Sequence, residues 1–214
     1  MPAAAALIDA MALGPLRDRV ALVTGGSGGI GRAVVRRLAA AGCHVAVAYS
    51  GNSRAANEAV DEAEDLGVRA RALQTDLSDA ATVIRLAQQA TEALGDIEVL
   101  VPNAGISVRT DLVGVDLDLW QRALAVNLTA PFLLAQHLVP GMAARGFGRV
   151  LFTSSVAAFT GGVVGPHYAA SKAGRSQPVE AIALVKRALR SVRGRSSHVK
   201  GAYGVASDGA ARHP

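Results

Sequence analysis

The sequence predicts an α/β domain, a doubly wound parallel sheet with helices on both faces, and three observations carry that prediction. Short apolar runs of strand length recur between residues 20 and 155. Amphipathic stretches of helix length separate them. The first run leads straight into a glycine-rich loop that opens a helix. The strand candidates are VALVT (20–24), HVAVAY (44–49), RARALQ (69–74), EVLVPN (98–103) and RVLFTS (149–154). Being almost continuously apolar, they read as strands covered on both faces, joined by right-handed crossovers. The helices between them fall at 30–41, 54–66, 79–94 and 117–143. Ser78 or Asp79 is placed to cap the third, and Asp116 or Asp118 the fourth.

With 214 residues, half of them hydrophobic, the chain has enough material for one domain with a sizeable core. Cys43 is its one cysteine, so no disulfide framework forms within the chain, and a reducing cytoplasm is the expected setting. Residues 1–16 read as an extension: MPAAAALIDAMAL lacks a basic start, meets Asp9 early and is too short to span a bilayer. The net charge of +5 suggests nucleic acid until it is located. Residues 1–174 hold 14 Lys and Arg against 15 Asp and Glu; residues 175–214 hold 8 against 2. The basic character therefore belongs to the last forty residues. We expect a catalytic domain at 17–174 and an atypical basic tail at 175–214, with neither nucleic acid nor membrane as partner.

Four stretches carry chemistry. TGGSGGIG (24–31) sits at a strand-to-helix junction, where glycines let the backbone turn tightly and approach a pyrophosphate at a helix N-terminus. The second strand ends in AYSGNSR (48–54), without the acid that would bind a ribose 2′-hydroxyl. Ser50, Asn52, Ser53 and Arg54 offer hydroxyls, an amide and a guanidinium, which suit a 2′-phosphate, so NADP(H) is favoured over NAD(H). The alternative is that Arg54 simply occupies the solvated first turn of a helix. TDL (75–77) and PNAG (102–105) follow the third and fourth strands, at the carboxyl ends where open α/β sheets bind ligands. In 117–143, Pro131 removes the N–H that the Asn127 carbonyl would use, so a kink is expected there. Finally, Ser155, Tyr168 and Lys172 stand in TSSVAAFTGGVVGPHYAASK (153–172), with Tyr168 and Lys172 four residues apart on one helix face. A neighbouring ammonium stabilises a phenolate, which is what a tyrosine acid–base needs.

Together these residues resemble the classical branch of the short-chain dehydrogenase/reductase family, in its 3-oxoacyl-[acyl-carrier-protein] reductase-like form, over about residues 17–174. The resemblance implies a Rossmann fold. It implies that Thr24, Gly25, Ser27, Gly29, Ile30 and Gly31 shape the cofactor loop, that Asp76 and Leu77 flank the adenine, and that Asn103, Ala104 and Gly105 flank the nicotinamide-side ribose. Tyr168 would be the general acid in reduction and the base in oxidation. Lys172 would assist it and hold the ribose, Ser155 would polarise the carbonyl, and the Asn127 main chain would hold a relay water. The implied substrate is a small carbonyl or alcohol, and the implied reaction needs no metal. Pro102 and Gly28 depart from the family's usual asparagine and from the arginine common in NADPH-preferring relatives.

After Gly174 the family pattern stops. RSQP interrupts the catalytic helix, and only 178–192 has helical character, with Ile182, Val185, Leu189 and Val192 on one stripe. A reading-frame shift near codon 175 is the leading explanation; an alternative transcript and a functional basic tail are the others. The expected consequences are a missing sixth strand, an exposed edge at 149–154, a family-like homo-oligomer in doubt, and an unstable or weakly active chain. The rival to an NADP(H)-dependent oxidoreductase is a catalytically impaired protein that keeps only the dinucleotide site.

Overall fold

The β-branched and apolar runs pair side by side in a computed structural model, which describes residues 16–174. Five parallel strands form one sheet in the order β3-β2-β1-β4-β5: β1 (Val20–Thr24), β2 (His44–Tyr49), β3 (Ala70–Gln74), β4 (Ile97–Pro102) and β5 (Arg149–Val150). The register between β1 and β2 is unbroken from Val20 opposite His44 to Thr24 opposite Ala48. The expected extension, basic tail and 178–192 helix lie outside the described residues.

Alternation within each strand builds two cores. Val20 and Leu22 face one side with Leu86, Ala90, Leu100 and Leu134. Ala21 and Val23 face the other with Val35, Val45, Val47 and Val99. Helices α1 (Gly29–Ala40) and α2 (Ser53–Glu64) cover the second side; α3 (Ala80–Leu94) and α4 (Leu117–Ala144) cover the first. Two short helices follow, α5 (Ala157–Thr160) and α6 (Pro166–Ala173). Both faces of the sheet are thus buried, as the apolar strands require.

Local chemistry sets the helix starts. Asp79 accepts the Ala81 N–H at 2.8 Å and Asp116 accepts the Leu119 N–H at 2.8 Å, so Asp79 rather than Ser78 caps α3 and Asp116 rather than Asp118 caps α4. Helix α4 is long and apolar enough to cross a bilayer by length and composition, but Leu134, Leu138 and Met142 spend that apolar surface on the sheet. Its middle is a π-helical turn over Ala125–Thr129, in which the Ala130 N–H reaches the Ala125 carbonyl. Pro131, with no N–H to offer Asn127, sits just beyond this wide turn, where the sequence places a kink.

The fifth strand departs from expectation. The run 149–154 was expected to be a six-residue strand, yet only Arg149 and Val150 pair with β4, and the Leu151 N–H makes one further bond to the Leu100 carbonyl at 2.9 Å. Beyond that point the backbone turns to other work: the Thr153 carbonyl accepts from Lys172 Nζ at 3.2 Å. Among the described residues β5 is the edge of the sheet, with Leu151 exposed.

Two outcomes follow. Replacing Asp79 by Ala should cost about 1 kcal/mol in a denaturant titration, because Ala81 loses its acceptor. Cys43 is fully buried at the start of β2, and burial pushes its thiol up to about 12. A thiol reagent at pH 8 should therefore leave the folded protein unmodified and react stoichiometrically in denaturant.

Candidate active site

The carboxyl ends of β1 to β4 converge on a cleft of about 590 Å³. It opens where β1 lies between β2 and β4, the point at which the chain's winding reverses. The loop after β1 forms its floor. Gly25 has φ +65°, and a Cβ there would come within 3.0 Å of the Ala104 backbone. At Gly31 a Cβ would collide with the Gly25 carbonyl oxygen. The loop closes on itself through Gly28 N–H to Gly25 O at 3.2 Å, and α1 begins at Gly29 without a side-chain cap. Its first-turn N–H groups therefore face an anion-sized space lined by backbone.

The other strand ends supply the walls. Gln74 Nε2 donates to the Ser50 carbonyl at 2.9 Å, and Ser50 lines the cleft. Asp76 also lines it; the amide and hydroxyl of Ser78 hold its carboxyl below the usual carboxylate range. Thr24 Oγ1 accepts the Ala104 N–H at 3.1 Å, and Asn103 Nδ2 lies 3.3 Å from the Thr24 carbonyl. These bonds tie the ends of β1 and β4 together.

At the Gly105 end of the cleft three polar side chains meet. Asn127 is fully buried: its Oδ1 accepts the Ile106 N–H at 2.8 Å, and its Nδ2 donates to the Ile106 carbonyl and to Ser171 Oγ, both at 3.0 Å. Ser171 Oγ in turn donates to the Tyr168 carbonyl at 2.8 Å. Lys172 is buried, with Nζ 5.6 Å from the centre of the Tyr168 ring. A Cβ at Gly105 would sit 3.1 Å from Asn127 Oδ1 and 3.4 Å from Lys172 Nζ, which measures how closely the loop, α4 and α6 approach. Tyr168 is half-buried on the same helical face as Lys172. Ser155 Oγ accepts the Ala157 N–H at 3.2 Å at the start of α5, which packs on α6.

Of the residues the sequence marks, Gly25, Ser27, Gly29, Ile30, Gly31, Ser50, Asp76, Leu77, Asn103, Ala104 and Gly105 line the cleft. Asn127, Ser155, Tyr168 and Lys172 lie outside that lining, and Asn127 and Lys172 stand at its Gly105 end. Three others are engaged elsewhere: Asn52 caps α2 through the Ala55 N–H, Ser53 is its first residue, and Arg54 pairs with Glu58. The sequence reading missed Ser171 and the Thr153 carbonyl, both of which act through bonds to Asn127, Tyr168 or Lys172. It also missed Arg122, the one cationic side chain lining the cleft among the described residues. No metal-ligand cluster occurs among the described residues.

Comparison with known proteins places this geometry. The family model described as short chain dehydrogenase matches residues 19–188, so the match runs past residue 174, where the motif pattern of the sequence stops. The chain is 34% identical over 79% of its length to an L-rhamnose 1-dehydrogenase (NADP(+)) of Thermoplasma acidophilum and covers 67% of that protein. It is 35% identical over 74% of its length to a 3-oxoacyl-[acyl-carrier-protein] reductase of Aquifex aeolicus, covering 64% of it. A crystal structure of a blue fluorescent protein from a metagenomic library in complex with NADPH matches with a TM-score of 0.75 and 39% identity, over 81% of this chain and 71% of that one. The chain thus spans about two thirds of the length of the curated relatives it matches.

Because the buried Asn127 amide serves three polar partners at once, Asn127→Ala should destabilise the protein by about 2 kcal/mol in chemical denaturation, the cost of leaving the half-buried Ile106 backbone and the buried Ser171 without it. Asn127→Asp should do no better, since a carboxylate cannot donate to the Ile106 carbonyl and brings a charge into a buried site.

Proposed function

The chain belongs to the short chain dehydrogenase family, and on that premise we propose that it interconverts a ketone and a secondary alcohol by hydride transfer with NADP(H). The observation that carries the reading is the meeting of Tyr168, Lys172 and Asn127 at the Gly105 end of a glycine-floored cleft. The cleft suits a dinucleotide: Gly25 and Gly31 pack its floor too tightly for side chains, and the uncapped α1 N-terminus at Gly28 and Gly29 lines the same space.

A bound nicotinamide would supply the hydride chemistry, in either direction, at the substrate's carbonyl carbon. The chain's own groups handle the proton. In reduction the Tyr168 hydroxyl donates its proton to the carbonyl oxygen, so hydride and proton together make the alcohol; in oxidation the phenolate takes that proton. Lys172, buried and held by the Thr153 carbonyl, stands 5.6 Å from the centre of the ring that moves the proton, where it would also hold the nicotinamide-side ribose. Ser155 donates a hydrogen bond to the same substrate oxygen. Thr24 and Asn103 keep the β1 and β4 ends in register for the ribose, Asp76 and Leu77 form the adenine wall, and Ser50 meets the 2′-phosphate, with Arg54 turning to it from Glu58 at the start of α2. A 3-oxoacyl thioester is our first choice of substrate, with sugars and other secondary alcohols next. Support for NADP(H) comes from the NADPH-bound relative and the NADP(+) dehydrogenase described above.

The test is Tyr168→Phe. With acetoacetyl thioester, and in parallel a panel of aldoses and secondary alcohols, the wild type should turn over with NADPH or NADP+, and the variant should lose about 10³-fold in kcat. Nucleotide affinity, read by NADPH fluorescence, should stay within about twofold in the variant. Turnover that survives Tyr168→Phe would overturn the assignment.

A further inference from the structure

Between α1 and α2, just outside the nucleotide cleft, four charged side chains form a closed network. Both oxygens of Glu58 are taken: Oε2 accepts from Arg32 Nη1 at 3.0 Å and Oε1 from Arg54 Nε at 3.0 Å. Glu62 holds Arg32 a second time, through Nη2 at 2.9 Å and Nε at 3.3 Å. The four charges cancel. Glu58 and Glu62 are both held below the usual carboxylate range, Glu58 by Arg54 foremost and Glu62 by Arg32.

The consequence lies at the end of β2. Ser50 lines the cleft, and Arg54 follows four residues later in the first turn of α2, on a side chain that is 91% exposed. Its guanidinium is the cation nearest in sequence to that wall, yet it is turned along α2 towards Glu58 and contributes nothing to the lining. Arg32 is anchored by two acids between the helices, and the one cation that lines the cleft, Arg122, comes from α4 on the side of Asp76. The wall at Ser50 therefore meets an anion with neutral groups only, unless Arg54 lets go of Glu58.

We propose that Glu58 is a specificity-determining residue: its carboxylate competes with a nucleotide 2′-phosphate for the Arg54 guanidinium, and so limits how strongly the cleft prefers NADP(H) to NAD(H). This rests on the dinucleotide reading above. An exposed pair spaced four residues apart on a helix is weak, so a dianionic phosphate displaces the carboxylate readily and the brake is modest. Removing Glu58 frees Arg54 and also removes a repelling charge, while Arg32 keeps Glu62 and the helix–helix contact stands.

The experiment is titration calorimetry of the full chain with NADPH and NADH. Glu58→Gln should raise NADPH affinity about three- to fivefold and leave NADH within about twofold. Arg54→Ala should weaken NADPH selectively and abolish the gain when combined with Glu58→Gln. Glu62→Gln removes the same charge from the network but touches Arg32 alone, and it should leave the NADPH-to-NADH ratio nearly unchanged. Glu58→Ala serves as a second variant should the glutamine protein fail to fold. If both nucleotides bind but the ratio is the same in wild type and Glu58→Gln, or shifts equally in Glu62→Gln, or still shifts without Arg54, the proposal is wrong. Failure of either nucleotide to bind the wild type would instead sink the dinucleotide reading itself.

Discussion

The Asn127 side chain is the constraint on which the rest of the site depends. One amide accepts from and donates to the backbone of Ile106 and still has a second N–H for Ser171. Three elements distant in sequence are fixed by it: the loop after β4, the middle of α4, and the helix that carries Tyr168 and Lys172. Only glutamine also offers an acceptor and two donors in one plane, and its extra methylene would move them, so the position has little chemical freedom. The π-helical turn is the backbone counterpart of that demand. A straight α-helix running into Pro131 would have left the Asn127 carbonyl directed at a ring with no N–H. The wider turn relieves this conflict and leaves the residue fully buried at the right depth.

The glycine-loop half of the cleft is controlled by sterics where the Asn127 end is controlled by hydrogen bonds. Gly31 and Gly25 approach so closely that a single methyl group at Gly31 would displace the loop, and the same loop is pinned to β4 through Thr24 and Asn103. Buried strand ends make this possible. Val23, Val47 and Val101 lock β1, β2 and β4 into one core, so the glycine loop hangs from a rigid support and its shape is not left to solvent.

How much of this was legible depended on the range of the interaction. Strands, helices and caps follow from local pattern, and Asp79, Asp116 and the glycine loop stand where the sequence puts them. Tyr168 and Lys172 were legible because i, i+4 spacing is itself a contact. Ser171 was not, because its role is a bond to Asn127, forty-four residues away, and a serine in a helix carries no mark of that. Arg122 was hidden for the same reason: only the approach of α4 to the β3 end brings it to the cleft. The shortened β5 reflects a competition that apolar patterning does not register, in which the Thr153 carbonyl serves Lys172 rather than a neighbouring strand. Arg54 suits a phosphate by its type, and its i, i+4 spacing from Glu58 suits an ion pair along α2 equally well; the structure holds the pair.

Charge placement then separates scaffold from site. Arg19 with Glu98, Arg145 with Asp96, and Arg32 with Glu58 and Glu62 pair cations with acids away from the cleft, where such pairs contribute little beyond holding helices and strands in place. In and beside the cleft the partners change. Asp76, which lines it, accepts from a serine amide and hydroxyl, and Lys172, beyond the Gly105 end of the lining, donates to a backbone carbonyl. Neutral donors leave the Asp76 carboxylate its charge, directed at the space it lines. A cleft whose ionic groups were paired with one another would be more inert; one held open by neutral hydrogen bonds keeps its charges for a ligand.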